Sequence, residues 1–313
     1  MKKKPTYRIR NWSEYDTSLR HRGSLTFWIS QELIDNWTTE EKTGERGASP
    51  TYTDAAIEMM ATIKALFHLA GRQTEGFLAS LFELMKGGLD IPDHSTLSRR
   101  MARLDVRLPI KELDKARHVV CDSTGVKVYG EGEWKVRQHS YSKRRTWRKL
   151  HLCVDDQTLE IVAVGASANS VSDGEMLPEL LAEAPGEIEQ VSADGAYDQR
   201  RCYDAINQHG ARAAIPPRRG AKIWQHGNSK EERLVRDENL RSIRKVGRKS
   251  WKEESSYHRR SLAETTIFRY KTVFGDKMQS RKIENQFTEI FIKCAALNRM
   301  TQYGMPQSYK VAA

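Results

Sequence analysis

No stretch of the 313-residue sequence approaches the ~18 to 20 consecutive apolar residues that a membrane-spanning helix requires. The opening Met1-Lys2-Lys3-Lys4-Pro5 leads into polar sequence without the apolar core of a signal peptide. These two absences predict a soluble, intracellular chain with no membrane partner. Cysteine is scarce: Cys121, Cys153, Cys202 and Cys294 lie far apart with no paired spacing. That pattern points away from a zinc site and from a disulfide framework, and predicts four small buried residues. The nine histidines are scattered likewise, and none pairs with a cysteine at zinc spacing. Internal repeats and low-complexity tracts are also missing, so the chain divides by hydrophobic pattern alone. Its length allows one large domain or two modest ones.

Positive charge is what the sequence has in excess. Lys and Arg number 52 against 41 Asp and Glu, a formal net charge of +11. Such a surplus favours a polyanionic partner, and nucleic acid before membrane. It is also concentrated: residues 216–260 hold 14 Lys and Arg against six Asp and Glu, so +8 of the +11 lies there. A second basic strip, Trp134 to Lys149, interleaves aromatics with cations, among them Lys143, Arg144, Arg145 and Arg148. It reads either as a strip that follows a DNA backbone or as a solvated hairpin face.

Residues 1 to about 50 are polar and tryptophan-rich, an arm that packs or touches DNA. From Tyr52 to Leu104 the apolar spacing is helical, with Gly87-Gly88 closing one helix as a left-handed cap. After Ile91-Pro92-Asp93, the short stretch Ser95 to Leu104 carries Arg99 and Arg100. This is the pattern of a helix-turn-helix recognition element, or of a packing subdomain with a basic face. Beyond Lys111 strands begin: Ala116 to Val120, a hairpin of Trp147 to Val154 with Leu159 to Ala166, Ile188 to Ala193, and Arg212 to Ile215. Helices are expected over Glu175 to Glu183 and Asp198 to His209. Periodicity alone gives a mixed α/β domain.

Three acids stand out by context. Asp122 and Asp194 follow short apolar runs and precede small or turn residues, the position at which open α/β sheets present functional side chains. Each also reads as an ordinary turn residue. Glu264 has Tyr257, Arg260 and Lys271 for company. On one ideal helix, at ~100° per residue, the four side chains span roughly 60°. Two capping boxes compete here. Ser250-Trp251-Lys252-Glu253 starts a helix that carries all four, whereas Ser261-Leu262-Ala263-Glu264 starts one that leaves Tyr257 and Arg260 outside. The earlier start is preferred. A face with an acid, two cations and a phenol suits phosphate chemistry: the carboxylate holds a hard cation and the cations grip phosphates.

The spacing Tyr-x2-Arg-x3-Glu-x6-Lys, with Asp122 in an earlier strand and the Asp-x2-Tyr-Asp segment Asp194 to Asp198 between, resembles the DDE transposases of bacterial insertion sequences. It is most similar to the insertion-sequence-five group. The stretches Tyr7 to Tyr15 and Arg22 to Trp28 also resemble that group's beginnings, so the likeness covers nearly the whole chain. The resemblance implies a ribonuclease-H-like catalytic core over 113–313, with a small basic insertion at about 216–250, preceded by an all-α, helix-turn-helix-like region over 1–112. The interval from Asp194 to Glu264, 70 positions, leaves room for only a small insertion.

The resemblance further implies a bacterial, cytoplasmic, nucleoid-associated enzyme. Asp122, Asp194 and Glu264 would hold two Mg²⁺ ions, with Mn²⁺ able to substitute, while Tyr257, Arg260 and Lys271 bind DNA phosphate. Its partners would be terminal inverted repeats and target DNA, engaged by a homodimer in the synaptic complex. In some relatives an aromatic residue of the insertion receives a flipped base, which raises Trp224 and Trp251, although packing is the expected role of both. Asp198 is expected to cap the helix that follows it. Two other readings share the sequence: a metal-dependent nuclease on the same core without strand transfer, and a non-catalytic DNA-binding repressor.

Overall fold

The computed structural model describes residues 6–40, 51–128, 147–225 and 233–311. Two compact units divide the chain, one made of the residues up to Val106 together with those from Ala295 onward, the other of Arg107–Cys294. The boundary near the C-terminus falls inside the long helix Ile283–Tyr303.

The first unit is largely helical. Helix Asp54–Leu66 opens on Thr53, whose side chain accepts from the Ala56 amide, and it buries Ile57, Met60 and Ile63 at helical spacing. Helix Gly71–Leu84 follows, then His94–Met101, capped by Asp93 through the amides of Ser95 and Thr96. The left-handed residues after Leu84 are Lys86 and Gly88 rather than the Gly87-Gly88 pair expected. The region also includes strand pairing: β1 (Thr6–Ile9) runs antiparallel to β7 (Ser308–Val311). Short strands joined across nearly the full chain length leave no trace in local sequence.

The second unit is a mixed α/β sheet. Strands β2 (Arg117–Lys127), β3 (Trp147–Asp155), β4 (Ile161–Ala168), β5 (Ile188–Ser192) and β6 (Arg212–Ala214) lie in the order β4-β3-β2-β5-β6. β2, β3 and β4 form an antiparallel meander, while β5 and β6 extend the sheet parallel to β2. Helices Asp173–Glu183 and Arg200–Gln208 make the crossovers that parallel pairing requires. Their apolar residues, including Leu177, Leu180, Cys202 and Ile206, pack on Val119, Cys121, Cys153 and Val191 to form one core. Strand alternation therefore sends Val119 and Cys121 into that core and turns Val120 and Asp122 to the opposite face.

Several expectations are corrected here. β2 does not stop at Val120: Asp122 pairs with Leu152 and the strand continues to Lys127, so Asp122 is an interior strand residue. The small residues Ser123-Thr124-Gly125 resemble a turn but belong to the ladder. Gly125 is small because a Cβ there would come within 2.9 Å of the Trp147 ring lying across it. Cys121 and Cys153, directly opposite in the β2–β3 register, are joined by a disulfide. Hairpin pairing closes a 32-residue separation that spacing rules do not read. Cys202 and Cys294 are the free, buried residues expected, and burial pushes the Cys202 thiol up to about 11.

Candidate active site

Asp122, Arg260 and Glu264 meet on the open face of β2. The Arg260 guanidinium donates to Asp122 Oδ2 at 3.3 Å and, through its other terminal nitrogen, to Glu264 Oε1. Asp194 lies two residues past the end of β5 and accepts from the Ala196 amide at 2.8 Å, capping the 3-10 turn Gly195–Tyr197. Parallel pairing of Val120 with Ser192 sets the two aspartates at matching positions on neighbouring strands, two residues beyond that pair. Asp122 feels both of the other acids. Burial raises its carboxyl above the ordinary range, Asp194 and Glu264 push it the same way, and the Ser123 amide and Arg260 offset only part of this. Lys271 donates to the Thr124 hydroxyl at 2.7 Å, two residues along β2 and on the same face as Asp122.

The Tyr257–Lys271 segment is not one helix. Helix Arg248–Glu254 ends before Ser256, which takes a left-handed conformation. A 3-10 turn, Tyr257–Arg260, leads into helix Ser261–Phe274. The Ser261 hydroxyl bonds back to the His258 carbonyl, so the Ser261 capping box is not formed either. Buried polar contacts fix this irregular entry. The Gln190 amide donates to the Ser255 carbonyl at 2.9 Å, and Arg259 donates to Asp156 at 3.0 Å. Asp156 in turn pairs with the buried His118 at 2.9 Å, while His118 and Gln190 share Ser192. Tyr257 is buried beside Trp251, and burial raises its phenol pKa. Arg260 stays firmly charged: burial opposes it, but Tyr257, Asp122, Glu264 and Asp194 together outweigh that cost.

Asp198 lies elsewhere than expected. Helix Arg200–Gln208 starts after Gln199, and Asp198 instead forms a buried ion pair with Arg236 at 2.9 Å. It also accepts from the Arg218 amide at 3.0 Å. Sequence reasoning missed this pair and Thr124, because each partner is distant along the chain. Trp251 is buried, and Trp224 already has the Arg236 guanidinium 3.9 Å over its ring.

Of the further DNA-contact residues expected, Arg148 donates to Gln286, Arg99 to Thr96, and Arg100 to the Tyr52 carbonyl and Asp54. Lys143, Arg144 and Arg145 fall outside the described residues. Among the described residues no three acid, histidine or cysteine side chains converge closely enough to form a metal-binding group. No helix among them is long and apolar enough to cross a membrane.

A mixed α/β sheet that presents acids beside arginine and lysine is a setting for chemistry on phosphate esters. Two family models, each described as a transposase DDE domain, match this chain, over residues 20–131 and 114–299. The second spans more than half of the chain, and the protein belongs to the DDE transposase family. It is a transposase, a DNA-cleaving and strand-transferring enzyme of a family that works with divalent metal ions. Solved structures that match include the piggyBac transposase synaptic complex with hairpin DNA, at 12% identity and a TM-score of 0.38, covering 91% of this chain and 74% of that one. Another is the Drosophila P element transposase strand transfer complex, at 11% identity and a TM-score of 0.30, covering 94% and 87%.

Proposed function

We propose that Asp122, Asp194 and Glu264 are the catalytic carboxylates of an insertion-sequence transposase of the insertion-sequence-five, Tyr-Arg-Glu-Lys group. The observation that carries this reading is the Arg260 guanidinium bridging Asp122 and Glu264, with Asp194 close enough to raise the Asp122 pKa. The sheet order, an antiparallel meander extended by two parallel strands, supports a ribonuclease-H-like core over 113–313. The region 1–112 then serves as the helical DNA-binding part.

The donor set is all oxygen, which suits two Mg²⁺ ions, with Mn²⁺ as a substitute. Asp122, Asp194 and Glu264 would hold the ions, and Arg260, which lies between Asp122 and Glu264, would then be freed from that bridge. Bound there, the ions would activate the attacking oxygen and stabilise the departing one. Arg260, released from the acids, and Lys271 then face the phosphate flanking the scissile bond, and the buried Tyr257 orients Arg260. Water attacks phosphorus at the element end and frees a 3′-OH. In the second step that hydroxyl forms the new bond to a target phosphate, whose own 3′-oxygen leaves.

The DNA engaged would be the element's terminal inverted repeats and a target, held by a homodimer pairing two ends in a bacterial nucleoid. Mixing the protein with DNA flanking its gene and Mg²⁺ tests the reading. Joined products from the wild type and none from Glu264→Ala are expected. Cleavage without joining would replace it with a nuclease, and binding alone with a repressor.

A further inference from the structure

A cavity of about 530 Å³ opens beside the turn that follows Asp194. Its wall holds Arg218, Arg219 and Trp224, with Asp198 and Arg236 at its base. The base is paired, Arg236 being buried between Asp198 and Asp237, a cluster with a net charge of −1. The rim is not. Arg218, Arg219 and Arg200 are exposed, and none has a carboxylate partner among the described residues. The loop carrying them is held in place rather than left to solvent. Asp198 accepts from the Arg218 amide, the Arg218 Nε donates to the Gly195 carbonyl at 3.2 Å, and Arg248 donates to the Pro217 carbonyl at 2.8 Å. Trp224 is also fixed, its backbone amide bonded to Asp237 and its ring clamped by Arg236 at 3.9 Å, with Arg200 5.2 Å from the centroid.

We infer that this cavity is a phosphodiester subsite, in which Arg218 and Arg219 hold the backbone of the DNA strand as it passes Asp194. Against the net −1 of the Asp198–Arg236–Asp237 cluster, the three guanidinium groups around one fixed loop leave a positive surplus that a polyanion offsets. The ring of Trp224 fixes Arg236 and Arg200 beside the arginines of the loop. Because a cation already stacks on it, the site takes a phosphate and not a base. The Arg218–Gly195 contact ties the subsite to the residue next to Asp194. The inference rests on the transposase reading only for the direction of the strand; phosphate capture itself is independent of catalysis.

The test is the salt dependence of DNA binding, read by fluorescence anisotropy with a short labelled duplex of arbitrary sequence. Losing two phosphate contacts lowers the slope of log affinity against log salt by about 2. Arg218→Ala/Arg219→Ala should show that fall while losing no more stability than the single Arg218–Gly195 hydrogen bond contributes, and Arg218→Lys/Arg219→Lys should restore the slope. Arg219→Ala alone, which breaks no hydrogen bond seen in the structure, should lower it by about 1. An unchanged slope in the double alanine variant overturns the inference, as does a loss that lysine fails to restore. Excess inorganic phosphate competing as well as duplex, weight for charge, would also overturn it, leaving a free-anion site. If the slope falls yet the wild type joins no DNA ends, the subsite stands and the transposition reading of the carboxylates fails. The converse result separates them the other way.

Discussion

Two aspartate–arginine contacts in the sheet unit are built to opposite ends. The Asp198–Arg236 pair is closed: side-chain exposure is 3% and 4%, and the remaining polar atoms are taken up by Asp237, the Lys222 carbonyl and the Arg218 amide. The Asp122–Arg260–Glu264 contact is half open, at 18%, 20% and 53%. Its two acids share one bridging cation, Asp194 adds a third negative charge nearby, and Asp122 pays for burial with a raised pKa. A buried pair with every valence satisfied holds two elements in register, and losing one partner strands the other. A half-exposed cluster with more negative charge than its cation can neutralise contributes little to stability and is ready to exchange that cation for another.

The largest expected effect separates the two by activity. If Asp122 belongs to the proposed triad, Asp122→Asn removes a ligand charge worth several kcal/mol at a metal-assisted transition state, so strand transfer should fall on the order of 10³-fold. DNA binding and the melting temperature should hold. A variant that retains wild-type strand cleavage would remove Asp122 from the proposed triad. At the closed pair the outcome should invert: Asp198→Ala should cost about 3 kcal/mol of stability by leaving Arg236 with one carboxylate partner. Denaturant unfolding measures this directly, and a midpoint equal to the wild type would show that the pair is not structural.

The sequence made the open cluster legible and the closed pair not. Asp194 was readable because an apolar run ends at Asp-Gly, and β5 ends at Ser192, two residues before it. Asp122 was identified by type but misplaced, since Ser-Thr-Gly has the same composition in a turn and in a ladder residue that must admit a neighbouring tryptophan. The shared face of Tyr257, Arg260 and Glu264 was predicted from a continuous helix that does not exist. Arg260 still reaches Glu264 because the 3-10 turn runs directly into the helix, preserving the four-residue step between them. Asp198 was read as a cap because capping is a local rule, whereas its true partner is 38 residues away and buried. The Cys121–Cys153 pair failed to be read for the same reason.

A third contrast lies on the covered face of the sheet. His151 is buried with its Nε2 on Ser167 at 2.8 Å, and burial depresses its pKa to about 4, more than Asp173 can offset. Its ordinary value is 6.5. Between these values the unfolded chain binds the proton and the folded one does not, so stability is full above about pH 6.5 and declines as pH falls toward 4. The loss should reach at most about 3 kcal/mol. Comparing denaturant midpoints at pH 7 and pH 4.5 for wild type and His151→Gln checks it, since the variant should lose less over that interval.

The smallest effect sharpens the comparison most. Thr124→Val keeps the shape of a β-branched strand residue but removes the acceptor that Lys271 uses at 2.7 Å. If the open face were held together for stability, unfolding would reveal the change. The contact is a single part-buried hydrogen bond to a charged group, so about 1 kcal/mol is at stake, and Lys271 can recover much of it from water when the site is empty. On the proposed reading the ammonium aims at a DNA phosphate, and the hydroxyl is what would aim it. The expected outcome is therefore a strand-transfer rate lowered about 3- to 10-fold, with the unfolding midpoint unmoved and Thr124→Ser restoring the rate. A shift in midpoint with the rate unchanged would place Lys271 among the structural contacts, alongside Arg236.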